Sequence, residues 1–463
     1  MRQIFLYEAG RILDQARFRA LTLLILLLMT VAAFAFLSRY RAEAQEQEAV
    51  RGRYRQDLAA GTLGEAVALP HPALKPPWRL ALFVEGGQQR SPDVYRQTLS
   101  PWSLSELSRT YEGNPRLPTP FALDWMFVLG VVLSLAAFVL GHDAVCGERR
   151  TGTLWLLLSY PVPRWKVLAG KWLAATACLV AVFCAGAAIG LLVVELAADE
   201  LLTAGDFATV ALLTALGVWA VAFYVLTALL VSTLSRDAAA SLTVLALLWI
   251  TAVFFLPAAG GLLAYDLHPL PAPMETEGRI AQIQERIARE YGGREGNWRP
   301  PGWARADGYA WEKVSAQAQN RRHQLQEEVQ WQVLEHKLAQ ARLSRRIANF
   351  SPTSLIQDIA ERITGSGLER DRRFLQQARA FRAHLALKVR ELDRRDPASP
   401  HILFIERYMS QRRADPEQIP SFLFREKPLP ERLAEARALA LLLGLETALL
   451  ALAALISFQQ IRP

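Results

Sequence analysis

Cysteine is scarce in this chain, with 3 among 463 residues. Cys146 lies in a charged stretch, and Cys178 and Cys184 lie within one long apolar run. The two longest polar regions, residues 38–120 and 265–432, contain none. These regions must therefore fold without disulfide bonds, even in an oxidising compartment.

Sequence signatures of catalysis are missing as well. No glycine-rich phosphate loop ending in Gly-Lys-Ser/Thr occurs, because Gly170-Lys171 is followed by Trp172 and the earlier glycine is absent. There is no Gly-x-Ser-x-Gly elbow and no paired-histidine spacing of a metal site. The histidines considered, which we interpret as isolated surface residues, are His71, His268, His323, His336, His384 and His401. We therefore expect no catalytic residue, no metal site and no cofactor bound by this chain.

The net charge of +8 is not accompanied by a basic motif interleaved with aromatic residues, so we expect no nucleic-acid partner. Hydrophobic residues are abundant instead: they make up 52% of the chain and gather in long runs. Six runs are long enough to cross a bilayer as helices. They are residues 20–37, 121–140, 167–196, 207–234, 239–264 and 433–458. The composition predicts an α-helical polytopic membrane protein with six transmembrane helices.

The charges of the short loops predict the orientation, because Lys and Arg are retained in the cytoplasm. Basic residues cluster before the first run, between the second and third runs, and at two further positions; they are Arg2, Arg11, Arg17, Arg19, Arg149, Arg150, Arg164, Lys166, Lys171, Arg236 and Arg462. The short loop on the opposite side carries Asp199, Glu200 and Asp206. An even number of spans places both termini on one side. We expect both in the cytoplasm, with the chain in a bacterial cytoplasmic (inner) membrane.

This orientation places two long inserts outside the cytoplasm, because long translocated domains do not obey the charge rule. In the first insert, residues 38–120, a polar run at 39–58 should continue the first span as a helix. Residues 78–84 are an apolar run that predicts a strand, with Gly86-Gly87 as its turn. We expect a small mixed α/β domain here.

The second insert, residues 265–432, is predicted to be mostly helical. Ile280, Ile283, Ile287 and Tyr291 recur at helical spacing, and a run without Gly or Pro extends from about 309 to 349. Such a helix would be about 60 Å long. A new helix should start at Ser351-Pro352. The insert is then either an elongated stalk or a compact helical cap, and periodicity does not distinguish the two.

The charged loop at residues 141–166 has a possible mechanical role. Glu148 opens a short helix and suits its dipole, and an apolar ridge at Leu154, Trp155 and Leu158 could seat in a groove of a cytosolic partner. The alternative is an ordinary basic loop whose helix start favours a carboxylate. The candidate coupling residues are Glu148, Arg149, Arg150, Thr151, Gly152, Thr153, Leu154, Trp155, Leu158 and Arg164.

This loop resembles the cytoplasmic coupling segment of type-2 ATP-binding-cassette (ABC) transporter permeases. Gly147-Glu148-Arg149, then Gly152-Thr153-Leu154, then Pro-x-Arg and Gly170-Lys171 stand in the order typical of that superfamily. Three further dipeptides, Asn114-Pro115, Asp124-Trp125 and Ser351-Pro352, are similar to its NosY-like branch, which has two large extracytoplasmic insertions and a domain of unknown function. The resemblance implies a permease subunit of an exporter. It also implies cytosolic ATPase subunits that bind ATP, a second permease copy or paralogue, and an N-terminal elbow helix over residues 1–19.

Four local features have open interpretations. Glu446, in the middle of the last run, should face the protein interior, with a functional role or a bond to a neighbouring Ser or Thr equally supported. Pro257 and Gly260-Gly261 should interrupt the fifth span or end it. Residues 85–90 resemble half of an ABC signature motif, but we interpret them as a turn. The first run resembles a signal peptide at Ala33-Phe34-Ala35, although its spanning length favours retention.

The sequence therefore predicts a permease that carries no catalytic residue, with a possible periplasmic partner. Two other classes of protein stay open. One is a membrane-anchored periplasmic binding or sensory protein. The other is an intramembrane enzyme that would use Glu446 with Asp206 or Glu195.

Overall fold

The computed structural model describes residues 1–88, 91–109, 122–197, 201–294 and 300–461. Most of these residues are helical. The α-helices are α1 Arg2–Asp14, α2 Ala16–Ala60, α3 Leu63–Ala68, α4 Trp125–Phe127, α5 Ser134–Gly141, α6 Cys146–Thr151, α7 Thr153–Ser159, α8 Arg164–Ala197, α9 Ala204–Leu234, α10 Ala238–Ile250, α11 Leu256–Leu267, α12 Pro273–Glu290, α13 Pro301–Ala306, α14 Ala310–Ala348, α15 Pro352–Thr364, α16 Leu368–Arg394 and α17 Leu429–Gln459. Strands β1 His71–Leu74, β2 Val94–Gln97 and β3 Glu106–Ser108 form one antiparallel sheet in the order β1-β2-β3.

Within the described ranges, six helices are long and apolar enough to cross a membrane, which confirms the predicted polytopic fold. In chain order, spans one to six are Ala16–Ala60, Trp125–Thr151, Arg164–Ala197, Ala204–Leu234, Ala238–Leu267 and Leu429–Gln459. Most of these helices extend beyond the apolar run at one or both ends, because helical hydrogen bonding continues into polar sequence. The first is longest, with 45 residues, and includes the polar run at 39–58. Phe121, the predicted start of the second span, lies outside the described residues.

The spans differ in how deeply they lie in the bundle. In spans two and four, 61% of the most apolar window is buried, against 11% in spans five and six. Leucines such as Leu247 and Leu445 are more than half exposed on these outer spans. Spans two and four therefore form the centre of the bundle, and spans five and six present apolar faces to their surroundings.

Span five does not break where the sequence predicted. Residues Thr251–Phe255 form a π-helical stretch, and α11 continues to Leu267 with Pro257 in its first turn, where a missing N–H costs little. Gly260 packs directly against α14, since a Cβ there would lie 2.8 Å from the carbonyl oxygen of Ser344. The glycine permits close helix contact and does not mark a break.

The π-helical stretch in span five is tied to the second insert. The carbonyl oxygen of Ala252 accepts hydrogen bonds from Ser351 Oγ at 2.6 Å and Thr353 Oγ1 at 3.1 Å. A π-helical turn changes the backbone pairing, so its carbonyls are available to such outside donors. The start of α15 at Ser351-Pro352, predicted from the sequence, is therefore also its attachment to span five.

The predicted strand at 78–84 is wrong. These residues form a compact turn, in which the Val84 N–H donates to the Leu80 carbonyl at 3.0 Å. Leu80, Leu82 and Phe83 are each 1% exposed, and the Phe83 ring lies 4.6 Å from that of Trp125. A short apolar run indicates burial but does not by itself distinguish a strand from a turn, and here the turn packs against the end of the bundle. Gly86 and Gly87 do form a turn, with φ of 62° and 78°.

The two inserts form one shared structure. One apolar cluster joins Leu58 of α2 to Leu385 of α16, and another joins Ala73 of β1 to Leu338 of α14 and Phe374 of α16. A buried ion pair at 2.7 Å links Lys75 in the first insert to Asp371 in the second. The long helix α14 is thus covered by neighbours and is not a free stalk.

Two of the histidines interpreted as surface residues are buried. His71 is 1% exposed and His323 is 3% exposed. His71 Nε2 donates to the Ala66 carbonyl at 2.9 Å, and its Nδ1 lies 2.6 Å from the Tyr54 hydroxyl, which donates to it. Desolvation lowers the pKa of His71 to about 4. This histidine is therefore a neutral structural residue.

Candidate functional site

Residues 141–166 fold as two short helices, α6 and α7, hinged at Gly152. Gly152 adopts φ 78°, the left-handed conformation that residues with a Cβ rarely adopt. The Thr151 and Thr153 hydroxyls flank the hinge, are 2.9 Å apart and both contact the Glu148 carbonyl. The Gly-Thr-Leu element of the sequence is thus the corner between two helices.

Glu148 faces the interior of the protein. Its Oε1 accepts a hydrogen bond from Lys171 Nζ of α8 at 2.6 Å and another from Arg11 Nη1 of α1 at 3.0 Å. Lys171 also donates to Glu8 Oε1 at 2.5 Å. The side chains of Lys171, Glu8 and Glu148 are 2%, 5% and 13% exposed. The expectation that Glu148 meets a partner is therefore corrected: burial requires each charge to be paired, and its partners lie within this chain.

Arg149 and Arg164 bind the ends of other spans. Arg149 Nη2 donates to the carbonyls of Thr233 at 2.9 Å and Ser235 at 2.8 Å, at the C-terminus of α9. Arg164 Nη1 donates to the carbonyls of Gln459 and Ile461 at the C-terminus of α17. The last carbonyls of a helix lack intrahelical donors and carry partial negative charge, which a guanidinium satisfies. These two arginines are internal links.

The predicted apolar ridge points inward. Leu154 is fully buried in the bundle core, and Trp155 and Leu158 are partly buried against it. Their spacing puts them on the face of α7 that covers the ends of the spans. The exposed face instead carries Leu156 at 68% and Tyr160 at 67%. Arg150, Thr151 and Thr153 are also exposed.

The N-terminal elbow helix is present as α1, Arg2–Asp14, and is shorter than the predicted 1–19. The chain turns at Gln15, where ψ is 129°, and Ala16 begins the first span. Ile4 packs on α8 at Gly170, where a Cβ would lie 2.8 Å from Ile4 Cγ2. Arg11 of α1 donates to Glu148 Oε1 at 3.0 Å, and Arg17, at the start of span one, donates to Asp143 Oδ2 at 3.0 Å. The elbow is therefore joined to α8 and to the 141–166 segment by apolar and charged contacts.

Glu446 lies within span six with one carboxylate oxygen, Oε2, buried and without a hydrogen-bond partner among the described residues. The expected bond to a neighbouring Ser or Thr is thus absent for that oxygen. Its neighbour Thr447 accepts a hydrogen bond from Trp219 Nε1 at 3.0 Å. Asp206 lies 13 residues from Trp219 on α9, roughly 20 Å along a helix, and pairs with Arg79 at 3.4 Å. Asp206 and Glu446 therefore do not form a joint catalytic site.

The other motif positions have structural partners. Asp124 accepts hydrogen bonds from the N–H groups of Phe127 at 2.7 Å and Glu85 at 2.8 Å, so it caps span two and holds the first insert. Trp125 is 1% exposed between Phe83 and Phe183. Asn114-Pro115 lies outside the described residues, as do Gln89 and Arg90 of the 85–90 stretch.

Sequence reasoning did not identify Arg11 as a partner of Glu148, or Glu8 as a partner of Lys171. It noted Lys171 only as part of a Gly-Lys pair. A lysine inside a long apolar run is the one available indication, because a buried charge demands a counter-charge. Which carboxylates supply it depends on the packing of α1 against α8, which no local pattern encodes.

The geometry places one compact segment in contact with the ends of most spans. Comparison with known sequences gives a family. The sequence model described as "ABC-2 family transporter protein" matches residues 2–460. The chain is also 43% identical over 67 residues to the "Probable ABC transporter permease protein NosY" of Stutzerimonas stutzeri, a match that spans 13% of this chain and 24% of that relative. The chain therefore belongs to the ABC-2 family of transporter proteins.

Proposed function

We propose that the chain is the permease subunit of an ABC transporter that works in the export direction. It lies in the bacterial inner membrane, with both termini and residues 141–166 in the cytoplasm and the two inserts in the periplasm. It pairs with a second permease copy or paralogue and with two cytosolic ATPase subunits. ATP binds to those subunits, and this chain performs no hydrolysis. The loop charges support the orientation, and the family supports the partners.

The contacts of the 141–166 segment support a coupling role. The exposed face, defined by Arg150, Leu156 and Tyr160, offers apolar and basic surface to a cytosolic subunit. The opposite face is joined to α1 and α8 through Glu148, and to α9 through Arg149. Arg164, the first residue of α8, joins the end of the segment to α17. A push on the exposed face would therefore act on several span ends together. This two-sided arrangement is the observation that carries the proposal.

The test compares two leucines of α7 that lie two residues apart and on opposite faces, one exposed and one buried. Leu156→Asp changes an exposed side chain, so the purified chain should keep its thermal unfolding midpoint. It should weaken ATPase association by about tenfold or more, because burying a charge in an apolar contact commonly costs more than ~1.4 kcal/mol. Leu154→Asp changes a fully buried side chain and should instead destabilise the chain itself. The matched control is Leu423→Asp, at a 76% exposed leucine of the second insert.

The cognate ATPase subunit is the one that co-purifies with the unmodified chain. Its hydrolysis should rise on adding the unmodified chain and the Leu423→Asp variant, and should not rise with Leu156→Asp. The chain alone should hydrolyse no ATP. Normal stimulation by the Leu156→Asp variant would refute this coupling surface. Failure of any ATPase to co-purify would favour a binding or sensory protein.

A further inference from the structure

A basic cavity of about 330 Å³ lies where three helices of the second insert meet span six. The last turns of α14, the end of α15, the first turns of α16 and the start of α17 form its walls. Six arginines line it: Arg342, Arg345, Arg346, Arg362, Arg373 and Arg432. Such a concentration of guanidinium groups in one cavity repels itself unless anions neutralise it.

The carboxylates of the cavity neutralise only some of these arginines. Asp358 and Glu361 pair with Arg345 and Arg362. The other two carboxylates, Glu369 and Glu435, pair with Arg372 and Lys427, which are not among the lining residues. Among the described residues, Arg346, Arg373 and Arg432 have no carboxylate within 4.0 Å. The cavity therefore retains unpaired positive charge.

Two of these arginines also have unused hydrogen-bond donors. Arg373 Nη1 and Arg432 Nε are buried and have no acceptor among the described residues. Arg432 is held in place by donating to the carbonyls of Ile363 and Thr364 at the end of α15. Burial raises the pKa of Glu361, against the opposing effect of Arg345. A buried donor without an acceptor is costly, and an anion with several oxygens would supply acceptors to both.

The cavity reaches from the charged end of α17 into its apolar part. Leu439, seven residues after Arg432 and therefore about 10 Å along the helix, is one of its lining residues. Phe350, beside the last turn of α14, is 77% exposed. Charged donors thus lie next to an outward apolar helix at the boundary between insert and membrane, where lipid phosphates lie.

We propose that this cavity binds the phosphate group of an anionic phospholipid, with Arg346 and Arg373 supplying charge and donors to the phosphate oxygens and the acyl chains lying along span six. Free inorganic phosphate has the same oxygen chemistry but no acyl chain. The lipid would join the second insert to the bilayer and stabilise the contact between α15 and α17. This site is independent of ATPase coupling.

The experiment measures thermal unfolding of the full-length chain in nanodiscs. Discs containing phosphatidylglycerol should raise the unfolding midpoint by about 3 °C over discs of phosphatidylcholine alone, as expected for a ligand that binds only the folded state. Arg346→Gln/Arg373→Gln should abolish that rise, and neither side chain makes an ion pair among the described residues, so folding should be kept. The matched control Arg55→Gln/Arg321→Gln, which removes two exposed arginines of the inserts, should retain the rise.

A parallel series adds inorganic phosphate to phosphatidylcholine discs, with sodium chloride at equal ionic strength as reference. Little effect of phosphate together with a large effect of phosphatidylglycerol supports the lipid. An equal rise with phosphate alone overturns the lipid assignment in favour of a free-anion site. A rise that survives in Arg346→Gln/Arg373→Gln, or one that is lost equally in the control variant, overturns the site.

Discussion

Lys171 is a buried cation that joins three helices of the candidate site. Its ammonium lies between Glu8 and Glu148, and its side chain is 2% exposed. Through these two carboxylates it connects α1, α6 and α8. A buried charge network of this kind sets geometry, since any displacement of one helix separates paired charges.

Lys171→Met should destabilise the chain by about 3–5 kcal/mol, because it removes the buried cation between two carboxylates and leaves them only Arg11, which is 36% exposed, as a shared counter-charge. The measurement is the decrease in the thermal unfolding midpoint of the variant in detergent, without its ATPase. Arg150→Met removes an exposed cation of the same segment and should change stability by less than about 0.5 kcal/mol. Equal stability of the Lys171→Met and Arg150→Met variants would show that the buried network does not hold α1 to α8.

Helix packing at the element scale depends on close approach of α11 and α14. Gly260 has backbone atoms of Ser344 and Ala348 within 2.8 and 3.1 Å of its would-be Cβ. The adjacent Gly261 has only the Ser344 hydroxyl at 4.0 Å. The two glycines therefore share one helix but differ in what faces them.

Gly260→Ala should separate α11 from α14 and destabilise the chain by about 1–3 kcal/mol, as overpacking against backbone usually does. Gly261→Ala should be neutral or stabilising by up to about 1 kcal/mol, because alanine is the better helix former and meets no obstacle. Unfolding midpoints and hydrogen exchange of the α14 amides measure both. If the two variants behave alike, close packing is not the reason for glycine at 260.

The whole molecule combines a six-span bundle with one domain made from both inserts. Since the inserts share apolar clusters, they must lie on the same side of the membrane. The 141–166 segment contacts the opposite ends of the spans. The proposed orientation therefore predicts that the inserts are accessible from outside the cell and that the 141–166 segment is accessible only from the cytoplasm.

Cysteine labelling in intact cells tests that orientation. Cys146 is 0% exposed and a poor reporter, so the test uses a variant lacking the three native cysteines. A cysteine at Tyr160 should react only with membrane-permeant reagents, and one at the exposed Gln330 of α14 should react with impermeant reagents as well. Impermeant labelling at 160 in sealed cells, or its absence at 330 before lysis, contradicts the proposed topology.

Much of the architecture follows from the sequence alone. The number of spans, the outward continuation of α2, the start of α15 at Ser351-Pro352 and the family resemblance could all be predicted. Each depends on the length of an apolar run, a cap or a short motif, and these properties are encoded within a few turns of chain. Such local features do not depend on how distant parts of the chain pack.

Tertiary structure decided which face of each element is used. Leu154 and Leu156 are both leucines of α7, two residues apart, but Leu154 is buried against the bundle and Leu156 is exposed. Glu148 meets Arg11, which lies 137 residues away, and Arg164 meets Ile461, which lies 297 residues away. Such contacts arise from the packing of whole helices. Local spacing identified the 141–166 segment, and only the fold determined that its predicted contact residues are internal links.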